Sequence, residues 1–288
     1  MDEGLVLSVL ATFLWSTVAT AFKLTLRYLT FREMLFYSSL TSFLILFLIH
    51  LFTSRKRKKS LFRISKGEIL SSVILGFLNP YLYYLILFKA YSLLRAQIAQ
   101  PLNYTWPILL TFISSFFLKT KVSFKNILAL FISFLGVIVI ATQGEFKTIK
   151  VESELGVFLA LFSSLIFALY WVLNLKDKRS EVEKLTMNFF FGFLYIFLTQ
   201  IFTDSIRIPS LKGLIGSIYI GLFEMGITYL IWLYALKKSK NIALVSNLIY
   251  LSPFISLFLI SLILKEKIMS SSIIGLIVII SGILLNRL

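Results

Sequence analysis

The stretch GLFEMGITYLIWLYAL, residues 221–236, holds one ionisable group, Glu224, among almost unbroken apolar side chains. A charged residue near the centre of a membrane helix costs about 2.5–3.5 kcal/mol on insertion scales, so its retention calls for a partner or a use. Burial in an apolar setting favours the neutral acid, which lets such a group load and release a proton. Three readings follow. Glu224 exchanges a proton against a ligand; or, ionised, it holds a ligand's amino group; or, neutral, it makes a structural hydrogen bond to a tyrosine or to Asn79. The other acidic residues give it no company, since Glu33, Glu68, Glu154, Asp204 and Glu266 all stand at the ends of apolar runs.

Other polar side chains recur at helical spacing and so share faces. Asn79 and Tyr83 lie at i and i+4, as do Glu224 and Thr228. Gln97, Gln100 and Tyr104 form one face flanked by Asn103 and Trp106, and Asn247 and Tyr250 form another. Ser163, Tyr170 and Asn174 align, as do Ser16, Thr20 and Lys23, with Trp15 adjacent. Such faces cannot point at hydrocarbon cheaply, so they face one another or water. The candidate binding residues are therefore Trp15, Ser16, Asn79, Tyr83, Gln100, Asn103, Tyr104, Tyr170, Glu224, Thr228, Asn247 and Tyr250, with Glu224 also the candidate for proton coupling. The competing account has the serines and threonines bonding back to their own helices and the rings simply packing.

What is missing narrows the chemistry. The chain has no cysteine, hence no disulfide or thiolate site. It has no GxxxxGK[ST] loop, no HExxH, and a lone histidine, His50, at the end of an apolar run. No catalytic residue, metal or cofactor is expected.

The elements that must hold these faces follow from composition. Of 288 residues 58% are hydrophobic and 15% charged, too apolar for a single water-soluble domain. Ten apolar runs reach spanning length: 4–23, 31–52, 68–88, 92–118, 123–142, 154–174, 185–204, 211–236, 242–264 and 269–286. Long uniform runs mean helices, because a barrel would alternate in segments of about ten residues. The first run lacks a basic leader and is read as a retained span. Short loops leave no room for a soluble domain. The fold expected is an all-α integral membrane protein of ten transmembrane helices.

The net charge of +16 carries meaning through its placement. With the N-terminus in the cytoplasm, the inner loops hold the RKRKK run at 55–59 and 18 of the 29 basic residues in all. Both termini are expected to be cytoplasmic, and the basic run reads as a topology signal rather than a nucleic-acid patch.

The chain also repeats. A shift of 146 lays Tyr104 on Tyr250, Pro107 on Pro253, Lys119 on Lys265, Lys121 on Lys267 and Gly136 on Gly282. A shift of 145 lays Gly76, Asn79, Tyr83, Tyr84 and Ala90 on Gly221, Glu224, Thr228, Tyr229 and Ala235. Two halves, 1–143 and 144–288, each of five spans, must enter the membrane from opposite sides. Inverted repeats of this kind place a ligand site at the midplane between the halves and expose it to each side in turn. Pro107 and Pro253, at matching places, remove backbone bonds and are candidate hinges.

Ten spans in two inverted halves, the segment AQIAQPLNYTWPILL (96–110) and the long segment 221–268 together resemble the drug/metabolite transporter superfamily, EamA type. The resemblance implies export of small metabolites such as amino acids, or amphipathic compounds, through a central cavity, with the fifth and tenth spans bracing the fold. One departure stands out. Glu266 keeps the acidic residue that commonly closes the ninth span, whereas Thr120 replaces it in the fourth. The expectation is a secondary active transporter of the plasma (inner) membrane, monomer or homodimer, contacting a small-molecule substrate and membrane lipid but no nucleic acid. The alternatives are a passive facilitator, or a membrane sensor or enzyme with an intramembrane ligand site.

Overall fold

The computed structural model describes residues 2–57, 65–118, 124–145, 152–203, 206–238 and 248–285, and every regular element among them is helical. In chain order these are α1 (Glu3–Thr25), α2 (Phe31–Arg57), α3 (Lys66–Gly76), α4 (Tyr83–Leu93), α5 (Ala96–Asn103), α6 (Trp106–Leu118), α7 (Phe124–Ala141), α8 (Glu154–Lys176), α9 (Glu181–Thr203), α10 (Leu211–Ile220), α11 (Ile227–Lys238), α12 (Ser252–Leu259) and α13 (Ser270–Leu285). Short polar residues start the helices by satisfying orphan amides: Asp2 accepts from the Gly4 amide, and Ser65 forms a capping box with Glu68. Ser153 and Ser210 cap α8 and α10 in the same way.

Six helical stretches among the described residues are long and apolar enough to cross a membrane: Glu3–Thr25, Phe31–Thr53, Lys66–Leu93, Glu154–Asn174, Glu181–Thr203 and Leu211–Ala235. The remaining apolar runs form shorter helices, Ile127–Ala141, Ile249–Leu264 and Ser270–Leu285, together with the broken pair α5 and α6. Part of the basic run, Lys58 and Lys59, lies outside the described residues, as do residues 146–151.

Two of the long rods are interrupted at related places. A π-helical stretch, Phe77–Leu82, joins α3 to α4, and another, Gly221–Gly226, joins α10 to α11. In the first, Asn79 leaves the helix altogether (φ −151°, ψ 119°) before a cis peptide to Pro80. The second is made tight by glycine: a Cβ on Gly221 would strike the Ser38 carbonyl and Thr41 of α2, which packs directly over this stretch.

The candidate hinge prolines differ from the expected mid-helix kink. Pro107 is the second residue of α6, after a turn at Tyr104–Thr105, and Pro253 lies in the first turn of α12, after a tight turn at Ile249–Leu251. In a first turn the missing N–H has no helical acceptor to lose, so proline begins a segment there instead of bending one. The interruption precedes each proline.

Helix α7 makes its principal contact with α13, along a seam of small residues. A Cβ on Gly136 would meet the Gly275 carbonyl and Ile279, while Ser133 Oγ donates to the Ile279 carbonyl at 3.2 Å. Small residues let backbones approach where hydrophobicity supplies no drive between helices. The other helices gather around α1, α4, α8 and α11, whose inward faces hold the largest buried rings: Phe22, Tyr84, Phe88, Tyr170 and Tyr229.

Candidate functional site

A cavity of about 40 Å³ lies where α1, α4, α5, α8 and the Glu224 stretch converge. Its wall is aromatic: Trp15, Phe22, Tyr83, Tyr91, Tyr104, Trp106, Phe167, Trp171 and Trp232, with Gln100, Asn103 and Glu224 as its polar atoms. The rings meet edge to face, Trp106 against Phe167 at 5.3 Å and Phe167 against Trp171 at 5.8 Å, while Tyr83 stacks on Phe167 at 4.5 Å. A larger crevice of about 310 Å³ between α6, α7 and α8 is walled almost entirely by hydrocarbon and offers a polar molecule little purchase.

Glu224 is 7% exposed. Tyr84 donates to its Oε1 at 3.1 Å, and its Oε2 has no hydrogen-bond partner. With its proton given to Glu224, Tyr84 accepts from the Tyr229 hydroxyl at 2.9 Å, and Asn79 Nδ2 donates to Tyr229 at 3.2 Å. Asn79, Tyr229, Tyr84 and Glu224 thus form one chain of hydrogen bonds. Its symmetry is that of the sequence: the shift that pairs Asn79 with Glu224 pairs Tyr84 with Tyr229, and each polar residue bonds the tyrosine from the other half. Trp15 fixes the backbone at this point, its Nε1 donating to the Glu224 carbonyl at 3.3 Å.

The wall keeps unspent hydrogen-bonding capacity. Gln100, 2% exposed, uses neither its amide oxygen nor its nitrogen, and Trp171 Nε1 is likewise unpaired. Unsatisfied buried polar atoms also occur away from the wall, at Thr12 and Ser217 for example; what sets Gln100 and Trp171 apart is their place on the cavity, where a bound molecule can reach them. Asn103 is already committed, accepting from Tyr83 at 3.3 Å and donating to Ser163 at 2.9 Å.

Of the twelve candidates, Trp15, Tyr83, Gln100, Asn103, Tyr104 and Glu224 meet at the cavity wall. Asn79 is set behind it, reaching Glu224 through the two tyrosines. Ser16 and Thr228 bond back to their own helices, to the carbonyls of Phe13 and Phe223. Tyr170, fully buried, accepts from Asn174 at 3.2 Å and is not part of the wall. Tyr250 is buried just before α12, off the wall, and Asn247 lies outside the described residues, as does Thr120. Trp171 and Trp232 were missed because they stand three or four residues from the ends of their apolar runs, where tryptophan ordinarily marks the headgroup belt. Tyr84 and Tyr229 carried a usable signal, since they coincide under the repeat shift.

Two further clusters surround the site. Glu266 accepts from the Ala96 amide and from Gln97, and Gln97 in turn bonds the Lys267 carbonyl, the Met269 amide and Ser272, tying α5 to the segment before α13. Between α8 and α9, Arg179 grips Asp177 and reaches Ser72, with both charged side chains 5% exposed. Burial pushes the Asp177 carboxyl up, but the hydrogen bonds and charge of Arg179 outweigh it and hold the group below the usual aspartate range.

These features define a multi-pass helical membrane protein with a polar, aromatic site enclosed between helices. The EamA-like transporter family matches the chain twice, over residues 2–142 and 154–288, and the chain belongs to that family. An uncharacterized transporter of Bacillus subtilis, YyaM, is 25% identical over 251 residues, spanning 83% of this chain and 79% of its own. An uncharacterized transporter of Archaeoglobus fulgidus is 26% identical over 286 residues, 96% of this chain and 95% of its own. A solved crystal structure shares the fold, with a TM-score of 0.69 and 18% identity over 100% of this chain and 99% of that one. The protein is a membrane transporter with a small-molecule substrate.

Proposed function

We propose that the chain is a secondary active exporter of small metabolites or amphipathic compounds that works by alternating access. Its two five-helix halves, residues 1–143 and 144–288, insert with opposite orientation, ten spans in all, and both termini lie on the cytoplasmic side of the plasma membrane. The repeat shifts and the basic bias of the inner loops support this arrangement. Glu224 is the coupling group: it takes up a proton in one orientation and yields it, or holds substrate, in the other. Proline-led breaks before α6 and α12 serve as hinges for the rocking of the halves.

The observation that carries the reading is the hydrogen-bonded chain from Asn79 to Glu224. It joins the halves at their repeat-related positions and ends on a carboxyl facing the cavity. That cavity is far below the ~300–1,000 Å³ usual for small-molecule pockets, so substrate enters only when the surrounding helices part. Such a contracted state is one that an alternating-access cycle must pass through.

Two measurements test this. Reporters fused at the C-terminus and within residues 53–67 should both read cytoplasmic, and a reading on the opposite face would undo the inversion. In proteoliposomes, a pH gradient should drive the accumulation of one member of a panel containing phenylalanine and benzyltrimethylammonium. Flux that dissipates a solute gradient yet ignores the pH gradient would make the protein a passive facilitator.

A further inference from the structure

All four tryptophans of the chain, Trp15, Trp106, Trp171 and Trp232, line the one cavity that Glu224 faces. Core packing alone has no reason to draw every indole to the same wall. Indole faces carry the negative lobe of the ring quadrupole, and tryptophan holds a cation placed within about 6 Å of its ring centre better than tyrosine or phenylalanine does. Trp15 and Trp232 stand 5.6 Å apart at 57°, and Trp171 faces Tyr229 at 5.7 Å and 47°. Both contacts are tilted and not parallel; Trp15 and Trp232 border the space together, while Trp171 borders it and also packs on Tyr229 behind the wall.

The charge of the wall is as informative as its shape. Among the described residues Glu224 is its only carboxylic acid, and no lysine, arginine or histidine lines it. The nearby Lys23 is spent elsewhere, donating to the carbonyls of Tyr91 and Leu94 at 3.0 and 2.9 Å. A zwitterion would bring a carboxylate with no cation to meet it, and an anion would face Glu224 directly. A neutral apolar molecule would leave Glu224 Oε2 without a bonding partner, at the cost of an unsatisfied buried acceptor.

We propose that the substrate is a small organic cation, an ammonium head on an aromatic or apolar body, held between Glu224 Oε2 and the tryptophan faces. This rests on the transport reading for its purpose but on the cavity alone for its chemistry. It sets aside amino acids, which the family resemblance also allows. A proton and the cation compete for the same carboxyl, so binding weakens as the medium is acidified. The titratable groups facing Glu224 are tyrosines, with Tyr84 in direct contact and Tyr83, Tyr91, Tyr104 and Tyr229 around it. The α2 residues over the stretch, Ser38, Thr41, Ser42 and Ile45, carry no charge. Glu224 is thus the one carboxyl in this set on which proton and cation can compete.

The tryptophans themselves report the test. Purified protein in detergent is titrated with benzyltrimethylammonium chloride against matched sodium chloride, and indole emission is read. A saturable change is expected, with phenylalanine, the same ring on a zwitterion, at least tenfold weaker. Glu224→Gln should weaken the cation at least tenfold, and wild-type affinity should fall on acidification. Phenylalanine binding as tightly as the cation overturns the proposal, as does a folded Glu224→Gln protein that binds the cation unchanged. Should that variant not fold, wild-type affinity indifferent to pH overturns it equally. The two readings fail separately. Coupled phenylalanine flux without cation binding removes the cation and leaves the exporter, whereas cation binding without flux of any panel member removes the exporter and leaves the site.

Discussion

Asn79 and Glu224 occupy the same place in the two halves of the sequence and have opposite surroundings. Asn79 is fully buried, in a backbone break before Pro80, with its amide donated to Tyr229 and no contact with the cavity. Glu224 sits in an unbroken π-helical stretch, flanked by Gly221 and Gly226, and lines the cavity with one carboxyl oxygen unbonded. One half supplies a neutral anchor and the other the ionisable group, while the tyrosines between them stay matched. The difference shows that a duplicated framework need not duplicate the chemistry: each end keeps one side-chain oxygen unbonded, Asn79 Oδ1 and Glu224 Oε2, but only the ionisable end borders the cavity.

The comparison breaks first at Glu224. The Glu224→Gln variant, nearly isosteric, should insert and fold but lose the pH dependence of benzyltrimethylammonium flux, with a fall of about tenfold or more in the coupled rate, about 1.4 kcal/mol. Equal pH-dependent flux in variant and wild type would make the carboxyl structural. A smaller effect is expected from Tyr84→Phe, which leaves both carboxyl oxygens without a donor: the pH profile of flux should shift but persist, and thermal stability should fall by about 0.6 kcal/mol, the average for a hydrogen bond between membrane helices, for each of the two bonds lost, to Glu224 and to Tyr229. An unmoved profile would show that the tyrosine chain does not reach the coupling group. Asn79→Ala should do least to the profile, since Tyr229 and Tyr84 still bond each other, and should cost a similar ~0.6 kcal/mol in stability. Gln100→Ala, by contrast, should weaken cation binding with little change in expression, because neither amide atom has a partner to lose.

A second buried carboxyl sharpens the contrast. Asp177 is clamped by Arg179, whereas Glu224 meets no cation. Because the folded state holds Asp177 below its unfolded value, the clamp contributes stability above that value, about 3.9, and loses it as pH falls through the lower folded one. Thermal unfolding across acidic pH should show this loss in the wild type, and Arg179→Met should lose about 1.5–3 kcal/mol at neutral pH and become less sensitive to acid. Equal acid sensitivity in both would place the titration elsewhere.

Much of this was legible in the sequence. Helical character came from run length, and Glu224 stood out because insertion cost makes an intramembrane acid conspicuous. The Gln97–Gln100–Tyr104 face was found by spacing, though Gln97 turned out to tie α5 to the segment before α13 while Gln100 and Tyr104 line the cavity. What spacing cannot tell is which side of a polar helix meets a ligand and which meets a neighbour. Ser16 and Thr228 satisfy their hydroxyls within their own helices, a local bond that spacing alone does not distinguish from a ligand contact. The helix breaks were only half visible: proline marked where α6 and α12 begin, but nothing in GLFEMG announces a π-helical turn.

The seam between α7 and α13 bears on how the chain is made. Synthesis runs from the N-terminus, so α7 enters the membrane while the whole second half is still to come. Its packing partner, Ser270–Leu285, is the last of the described helices to emerge. Until then the face around Gly136 and Ser133 can meet only lipid or an insertion factor. A nascent chain stopped before residue 270 would keep that narrow, small-residue face open, and a quality-control protease would have a local mark by which to tell unfinished chains from finished ones.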